Sequence, residues 1–420
     1  MRALPSPLSE FGSSVSAEIE MRACVLREPG RPVSVETVRL QAPQRGEVLV
    51  RVAAAGVCHS DLHLADGSLG AGRWPMVLGH EGAGIVEAVG GDVDGLAPGD
   101  HVAFCFVPSC GCCEACRSGR RTLCGPAAAN GAAGTLLDGS SRLWAADGTV
   151  LQHGLMVACF AEFAVVPAGG AIPIPHDVPL WQAALLGCGV VTGIGAVTRA
   201  AGVRIGERVC VIGCGGVGLQ VIAGARLAGA AMIVAVDRRP QQLEHALRRG
   251  ATHAIDPAAT DPAAEVRAIT GGGVDYAFEV VGTPPTIRAA WDALRPGGTA
   301  IVVGLAPAGV EVSLPAIEFL SEKAIKGSYY GSADPAEVFP GLLELVRSGR
   351  LELGDVVSDL IELEAVQGAL QRLRRGEGER SVVILDAELA GAHAGGDAGG
   401  HARGDAGGDA GRHAGGHGER

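Results

Sequence analysis

Residues 207–237 read ERVCVIGCGGVGLQVIAGARLAGAAMIVAVD. The apolar run RVCVI has the length and β-branched content of a buried strand, and a glycine-rich turn stops it at Gly213. A helical stretch follows, then a second apolar strand that ends at Asp237. In this strand–turn–helix–strand frame each glycine has a physical role. Gly213 permits the tight turn, Gly215 lets backbone approach a pyrophosphate, and Gly218 lets the helix pack on the sheet. Gly216 and Val217 complete the turn and open the helix, whose N-terminal N–H groups face the phosphates. Asp237 stands 19 residues beyond Gly218, where a carboxylate accepts hydrogen bonds from both ribose hydroxyls and repels a 2′-phosphate. The turn therefore predicts a dinucleotide site for NAD rather than NADP. Arg238 and Arg239 soften the second half of that reading, because an arginine pairs with a 2′-phosphate.

Outward from this unit the pattern stays the same downstream. AIDP, the helical AAEVRAI, the strand DYAFEVV, a helix around TIRAAWDAL and the strand TAIVVGL alternate as a buried parallel sheet requires. We place this doubly wound α/β domain at residues 189–329. Upstream, residues 21–188 show short runs such as GEVLVRVAAAGV, GAGIVEAV and DHVAFCFV, broken by glycine and proline, as expected of a β-rich domain. Residues 330–386 return with helices around PGLLELVRSG and EAVQGALQRLRRG and a last strand, SVVILD. Residues 1–20 are read as a disordered extension. The repeats of AGGD and AGGH in residues 387–420 have almost nothing to bury and are read as a disordered tail.

The 420 residues are 47% hydrophobic, enough for two cores. A formal net charge of −12 argues against nucleic acid and anionic membranes as partners. We read no apolar run of the ~20 residues that a membrane-spanning helix needs, and no signal peptide. These readings predict a cytoplasmic protein. Twelve cysteines in so long a chain suggest metal chemistry rather than a disulfide scaffold.

Cysteine spacing supports that choice. Cys110-x2-Cys113-x2-Cys116-x7-Cys124 can wrap one zinc ion in four thiolates. Such a closed site, within a lobe of residues 105–125, serves folding. Cys112 could replace Cys110 or Cys113, but the register makes it the bystander. Three further segments carry soft or imidazole ligands beside glycine: GVCHSDLH from Gly56, GHEGAG from Gly79, and LGCG from Leu186. None is persuasive alone, since single cysteines and histidines usually sit in cores. Their order, with the nucleotide turn 25 residues beyond Cys188, is what counts.

Taken together, GVCHSDLH, GHEGAG, the four-cysteine lobe, LLGCGVVTG, GCGGVG and VVGL resemble the zinc-containing alcohol dehydrogenases of the medium-chain dehydrogenase/reductase family, from about Met21 to Asp386. The resemblance implies a GroES-like β-barrel catalytic domain interrupted by a Rossmann domain. It implies two zinc ions per chain, one catalytic on Cys58, His80 and Cys188, one structural on the four-cysteine lobe. Two thiolates and one imidazole leave a coordination position open for the alcohol oxygen. By the same resemblance Asp61 orients the ligand histidine and Glu81 is the carboxylate beside the metal. Ser60 takes the alcohol proton and His63 passes it to solvent, a task suited to imidazole near neutral pH. His59 and Arg374 match pyrophosphate contacts, with Arg375 a competitor for the second. Thr192 and Val303 lie by the nicotinamide. A lysine that the family places on the adenosine ribose aligns with Gln242, so that contact is expected to be missing.

The long segment between Cys124 and Phe160 resembles the longer, class III-like members, and predicts a homodimer, with a tetramer the other option. Glutathione-dependent formaldehyde dehydrogenases belong to that type. Their two glutathione-binding carboxylates fall at Leu69 and Ala71 here, and their relay position favours tyrosine where this chain has His63. Trp74, Trp144, Phe160 and Leu305 are candidates for an apolar pocket. The expected reaction is therefore oxidation of a primary alcohol to an aldehyde with NAD, and thiol-dependent formaldehyde oxidation is the alternative.

Overall fold

The structure, a computed structural model, describes residues 18–69, 73–377 and 380–391. The expected nucleotide unit is a six-stranded, all-parallel sheet. Its strand order is His253–Ile255, Met232–Val236, Arg208–Ile212, Val274–Glu279, Leu294–Val302 and Ala324–Gly327. The chain order reverses between Arg208–Ile212 and Val274–Glu279, so a crevice opens outside the strand ends there. The central strands Arg208–Ile212 and Met232–Val236 are apolar on both faces because helices cover both. Trp291 and Phe278 are completely buried in this unit.

The rest of the chain builds the second body. Ile19–Leu26, Ser34–Leu40, Leu143–Ala145, Val150–His153 and Met76–Val77 close a small barrel. Beside it a seven-stranded sheet runs Ala171–Pro173, His101–Phe104, Glu81–Val89, Glu47–Gly56, Ser381–Ile384 and Asp359–Ile361, and Phe163–Pro167 also pairs with Glu47–Gly56. The returning strand Ser381–Ile384 lies antiparallel to Glu47–Gly56, in the register Val382 to Gly56. This pairing closes the domain that the nucleotide unit interrupts, and it brings residue 380 back to the centre of the molecule.

Three expectations need adjustment. The first barrel strand starts at Ile19, inside the stretch read as disordered, because its pairing with Leu40 extends the ladder past Met21. Residues 387–390 form a short helix rather than tail, started by Asp386, whose side chain accepts from Leu389 N at 3.1 Å, and Ala390 is fully buried. Expectations for residues 1–17 and 392–420 lie outside the described residues. Finally, the helical run Leu180–Ala201 is 22 residues long with mean hydropathy 1.6, which does meet the length and apolarity of a membrane span. Its apolarity has a local cause: 83% of an 18-residue window within it is buried inside the protein, between the sheet of the barrel domain and the helix Gly216–Leu227.

Candidate active site

The site begins at a helix N-terminus. Cys58 precedes the helix His59–Asp66, and Asp61, in its first turn, reaches back to accept from Cys58 N at 3.0 Å. Its other oxygen accepts from Gly79 N at 3.2 Å and from His80 Nδ1 at 3.0 Å. One fully buried carboxylate thus fixes the backbone of one candidate ligand and the ring of the other. With Nδ1 committed to Asp61, Nε2 of His80 is the atom left to bind a metal. Cys188 arrives from a widened π-helical turn, Leu186–Val190. Tyr330 holds that turn by donating its hydroxyl to the Gly187 carbonyl at 2.8 Å.

These segments bring the ligand atoms of Cys58, His80, Glu81 and Cys188 within 4.8 Å of one another, all buried. His80 Nε2 and Glu81 Oε1 are buried without any hydrogen-bond partner. Unpaired polar atoms in such a place are costly unless something binds them. Tetrahedral zinc spaces its ligands by roughly 3.5–4 Å, so two sulfurs, one imidazole nitrogen and a carboxylate in reserve fit that ion. The Cys188 thiol beside it, with the nearby His80 and Arg380 charges, pulls Cys58 well below the usual thiol range, against the effect of burial. Burial lifts Glu81 to about 7, although Arg380 opposes it.

Arg380 is the residue the sequence reading missed. It is 8% exposed and forms an ion pair with Glu81 Oε2. Its Nη2 also lies 3.0 Å from where a Cβ would stand on Gly189 and on Gly216. The guanidinium therefore touches the carboxylate beside the metal ligands and the dinucleotide turn at once. Burial works against its charge, but Glu81 and the Cys58 sulfur more than offset this. Arg374, expected at the pyrophosphate, stands instead at the surface, 58% exposed and 3.9 Å from Asp66. Arg375 pairs with Glu377. A lone arginine ahead of a strand has no signature in sequence; only the return of Ser381–Ile384 beside Glu47–Gly56 puts it here.

The turn itself has the anticipated geometry. Gly213 has φ +94°, and a Cβ on Gly218 would overlap the Gly213 carbonyl oxygen. Gly215 has open space where its Cβ would be, at the N-terminus of the helix Gly216–Leu227, which Val217 continues. Asp237 accepts from Cys214 N at 2.8 Å and from Arg239 N at 2.9 Å, so it braces the turn. Arg238 is exposed, and Arg239 reaches across to the Gly376 carbonyl at 2.9 Å. Thr192 is half-buried on the helix Val191–Gly195 that follows Cys188, and Val303 is tied to Glu279 O at 2.8 Å at the crevice end of the sheet. His59 is exposed at the start of its helix, within electrostatic reach of Arg380 and Arg239. Gln242 is buried, with Oε1 unpaired.

Ser60 Oγ lies 3.9 Å from Cys58 Sγ, at the inner end of the same helix. One turn on, His63 is half-buried and its Nδ1 is 2.8 Å from Ser68 Oγ at the surface. The aromatic groups beside the ligand set are not those expected. Phe106 stands edge-on to His80, ring centroids 5.2 Å apart, and contacts Tyr330 and Tyr329 at 5.0 and 6.4 Å. Tyr329 is 52% exposed, so this wall opens outward. Of the expected lining, Phe160 is fully buried behind Gly79 and Trp144 belongs to the barrel strand Leu143–Ala145. Trp74 is half-buried, and Leu305 is exposed at 48%. Leu69 packs half-buried on the barrel core; Ala71 lies outside the described residues.

The four-cysteine lobe forms a second cluster. Cys110, Cys113, Cys116 and Cys124 place their sulfurs within 4.8 Å of one another. Backbone N–H groups of Cys112 and Cys113 bring the Cys110 thiol down to about 6. Burial pushes Cys124 up to about 12. This donor set fits a structural zinc. Cys112 is exposed and outside the set, its sulfur 3.7 Å from Cys110 Sγ.

Comparison with known proteins agrees with this geometry. Residues 44–176 match the alcohol dehydrogenase GroES-like domain family, and residues 216–348 match the zinc-binding dehydrogenase family. The chain is 39% identical over 379 residues to an NDMA-dependent alcohol dehydrogenase of Amycolatopsis methanolica, covering 88% of this chain and 100% of that one. It is 35% identical over 371 residues to an S-(hydroxymethyl)glutathione dehydrogenase of Paracoccus denitrificans, covering 86% and 99%. The crystal structure of benzyl alcohol dehydrogenase from Acinetobacter calcoaceticus superposes with a TM-score of 0.83 at 31% identity, over 87% of this chain and 99% of that one.

Proposed function

Because this chain belongs to the zinc-containing alcohol dehydrogenases of the medium-chain dehydrogenase/reductase family, in their class III-like branch, we propose that it oxidises a primary alcohol to an aldehyde with NAD. The observation that carries this is the buried set of Cys58, His80 and Cys188, with an unpaired imidazole nitrogen, joined to the glycine turn through Arg380. Oxidation removes a proton from the hydroxyl and a hydride from the carbon beside it. Zinc supplies Lewis acidity toward the oxygen, and NAD accepts the hydride.

The chain's own residues do the rest. Asp61 keeps His80 in the tautomer that leaves Nε2 free. Ser60 takes the hydroxyl proton next to the ligand set and His63 delivers it to solvent. Arg380 and the helix N-terminus at Gly216 hold the pyrophosphate, and Asp237 the ribose. Thr192 and Val303 line the nicotinamide side. Phe106 and Tyr329 favour an aryl-bearing alcohol, since ring edges and faces pack well against flat substrates.

Thiol-dependent formaldehyde oxidation is the second reading, supported by the similarity to S-(hydroxymethyl)glutathione dehydrogenases. Leu69, apolar and packed on the core, offers no carboxylate to a glutathione amine. A panel of benzyl, aliphatic and formaldehyde substrates separates the two, run with and without glutathione, with NAD, NADP or the acceptor NDMA. Thiol-independent NADH formation, fastest with benzyl alcohol, is the expected result. Turnover confined to formaldehyde plus thiol would replace it with the second reading.

We also propose a homodimer. The edge strand Ala324–Gly327 is mostly exposed, and beside it Ile317, Phe319 and Leu320 are 72%, 46% and 81% exposed. An unpaired edge next to apolar side chains suits a second copy. All twelve cysteines are free, in keeping with a reducing, cytoplasmic setting.

A further inference from the structure

The helix Gly216–Leu227 starts at the dinucleotide turn and ends ~18 Å away, at 1.5 Å per residue, beside the end of the helix Pro240–Arg249. There, at the opposite end of the sheet from the crevice, a cavity of about 430 Å³ opens between the nucleotide unit and the returning segment. Its charged lining is Arg226, Arg248 and Arg249 from one side and Arg350, Glu352 and Asp355 from the other. A guanidinium near a helix C-terminus needs no ligand, since it favours the negative end of the dipole. That accounts for Arg226 and for one of Arg248 and Arg249. Arg350 likewise stands just past the C-terminus of a helix, Pro335–Arg347, its N–H donating to the Leu345 carbonyl at 2.9 Å; what the dipoles do not account for is the convergence of all four arginines, from separate segments, on one space.

Only one of the four is neutralised. Arg249 is 7% exposed, donates to the Glu352 carbonyl at 2.8 Å and pairs with Asp355. Among the described residues, Arg226, Arg248 and Arg350 are exposed at the rim without a carboxylate partner. Four permanent cations against two carboxylates leave a net +2 in a concave site of a chain whose net charge is −12. The volume lies within the range of small-molecule sites and is too confined for a nucleic acid duplex.

We propose that this cavity is a binding site for a small oligophosphate. The forked guanidiniums of Arg248 and Arg350 grip it from opposite walls, and buried Arg249 forms the floor. A ligand held there joins the two bodies of the chain. The site is independent of the alcohol-oxidising reading and of the dinucleotide turn.

Calorimetric titration of the full chain with sodium pyrophosphate tests this. Since the glycine turn also attracts pyrophosphate, the titration uses a Gly215→Asp background. A side chain fits there because its Cβ meets nothing within 4 Å, and its carboxylate repels phosphate. The background should keep one saturable pyrophosphate site. Adding Arg248→Ala and Arg350→Ala should weaken that site at least about tenfold, the loss expected for charge-assisted hydrogen bonds. Both side chains are exposed, so melting temperature without ligand should be unchanged. Failure of the Gly215→Asp chain to bind pyrophosphate, equal affinity in the arginine variants, or the same heat from sodium chloride at matched ionic strength would overturn the proposal.

Discussion

Arg380 meets Glu81 across 299 residues of chain, and through that contact the metal-ligand set and the nucleotide turn share one buried cation. Replacing Arg380 by Met leaves Glu81 buried without its partner and removes the charge beside Gly216. The expected result is a rise of about tenfold or more in KM for NAD and a stability loss of about 3–5 kcal/mol. Arg374→Ala, by contrast, removes a surface side chain and should leave KM for NAD within about twofold. Steady-state kinetics and melting curves on the two variants check this; equal effects from both would rule out a pyrophosphate-holding role for Arg380. At this scale the ligand candidates are readable from sequence because each belongs to a short local pattern, such as Cys58 with Asp61 or His80 with Glu81. Arg380, Phe106 and Tyr329 are not. Their roles depend on where distant segments return, and in Tyr330 to Ser332 on a run of left-handed backbone no pattern in the sequence announces.

Among the elements, the strand Val150–His153 carries a test that is separate from the chemistry. His153 ends the strand fully buried, its Nε2 accepting from Arg142 N at 3.2 Å and its Nδ1 unpaired. Arg142 is itself buried and pairs with Glu47, which links the barrel to the neighbouring sheet. Burial, with help from the Arg142 charge, lowers His153 to about 3. The unfolded imidazole takes a proton near its ordinary ~6.5, while the folded one refuses it until far lower pH. Stability from this group is therefore complete above ~6.5 and is lost as pH falls toward 3, at about 1.4 kcal/mol per unit. His153→Gln should flatten the acid limb of the stability curve between about pH 6.5 and 4.5 by roughly that slope. An unchanged limb in denaturant titrations at several pH values would contradict it. The elements themselves are largely legible in the sequence, since apolar runs with period two or near-continuous apolarity match Glu47–Gly56, Arg208–Ile212 and Ser381–Ile384. The run Leu180–Ala201 is the exception: its small residues hide a long apolar stretch that tertiary packing, not lipid, covers.

For the whole molecule, two bodies meet along a crevice that holds both the metal-ligand set and the glycine turn, and the nucleotide unit leaves the edge strand Ala324–Gly327 unpaired on its outer side. If that edge joins two copies, Ile317→Glu with Leu320→Glu should yield monomers by light scattering after gel filtration, where the parent chain runs as a dimer. A parent chain that is already monomeric would set the dimer aside. On the proposed reading, alcohol oxidation rests on zinc that Cys58, His80 and Cys188 would hold. Zinc content and benzyl alcohol-dependent NADH formation should therefore be measured together on the parent chain and on Cys58→Ala. Two zinc ions and turnover are expected for the parent, and one zinc ion, retained NAD binding and no turnover for the variant. Undiminished turnover by Cys58→Ala would show that the oxidation does not depend on this metal set.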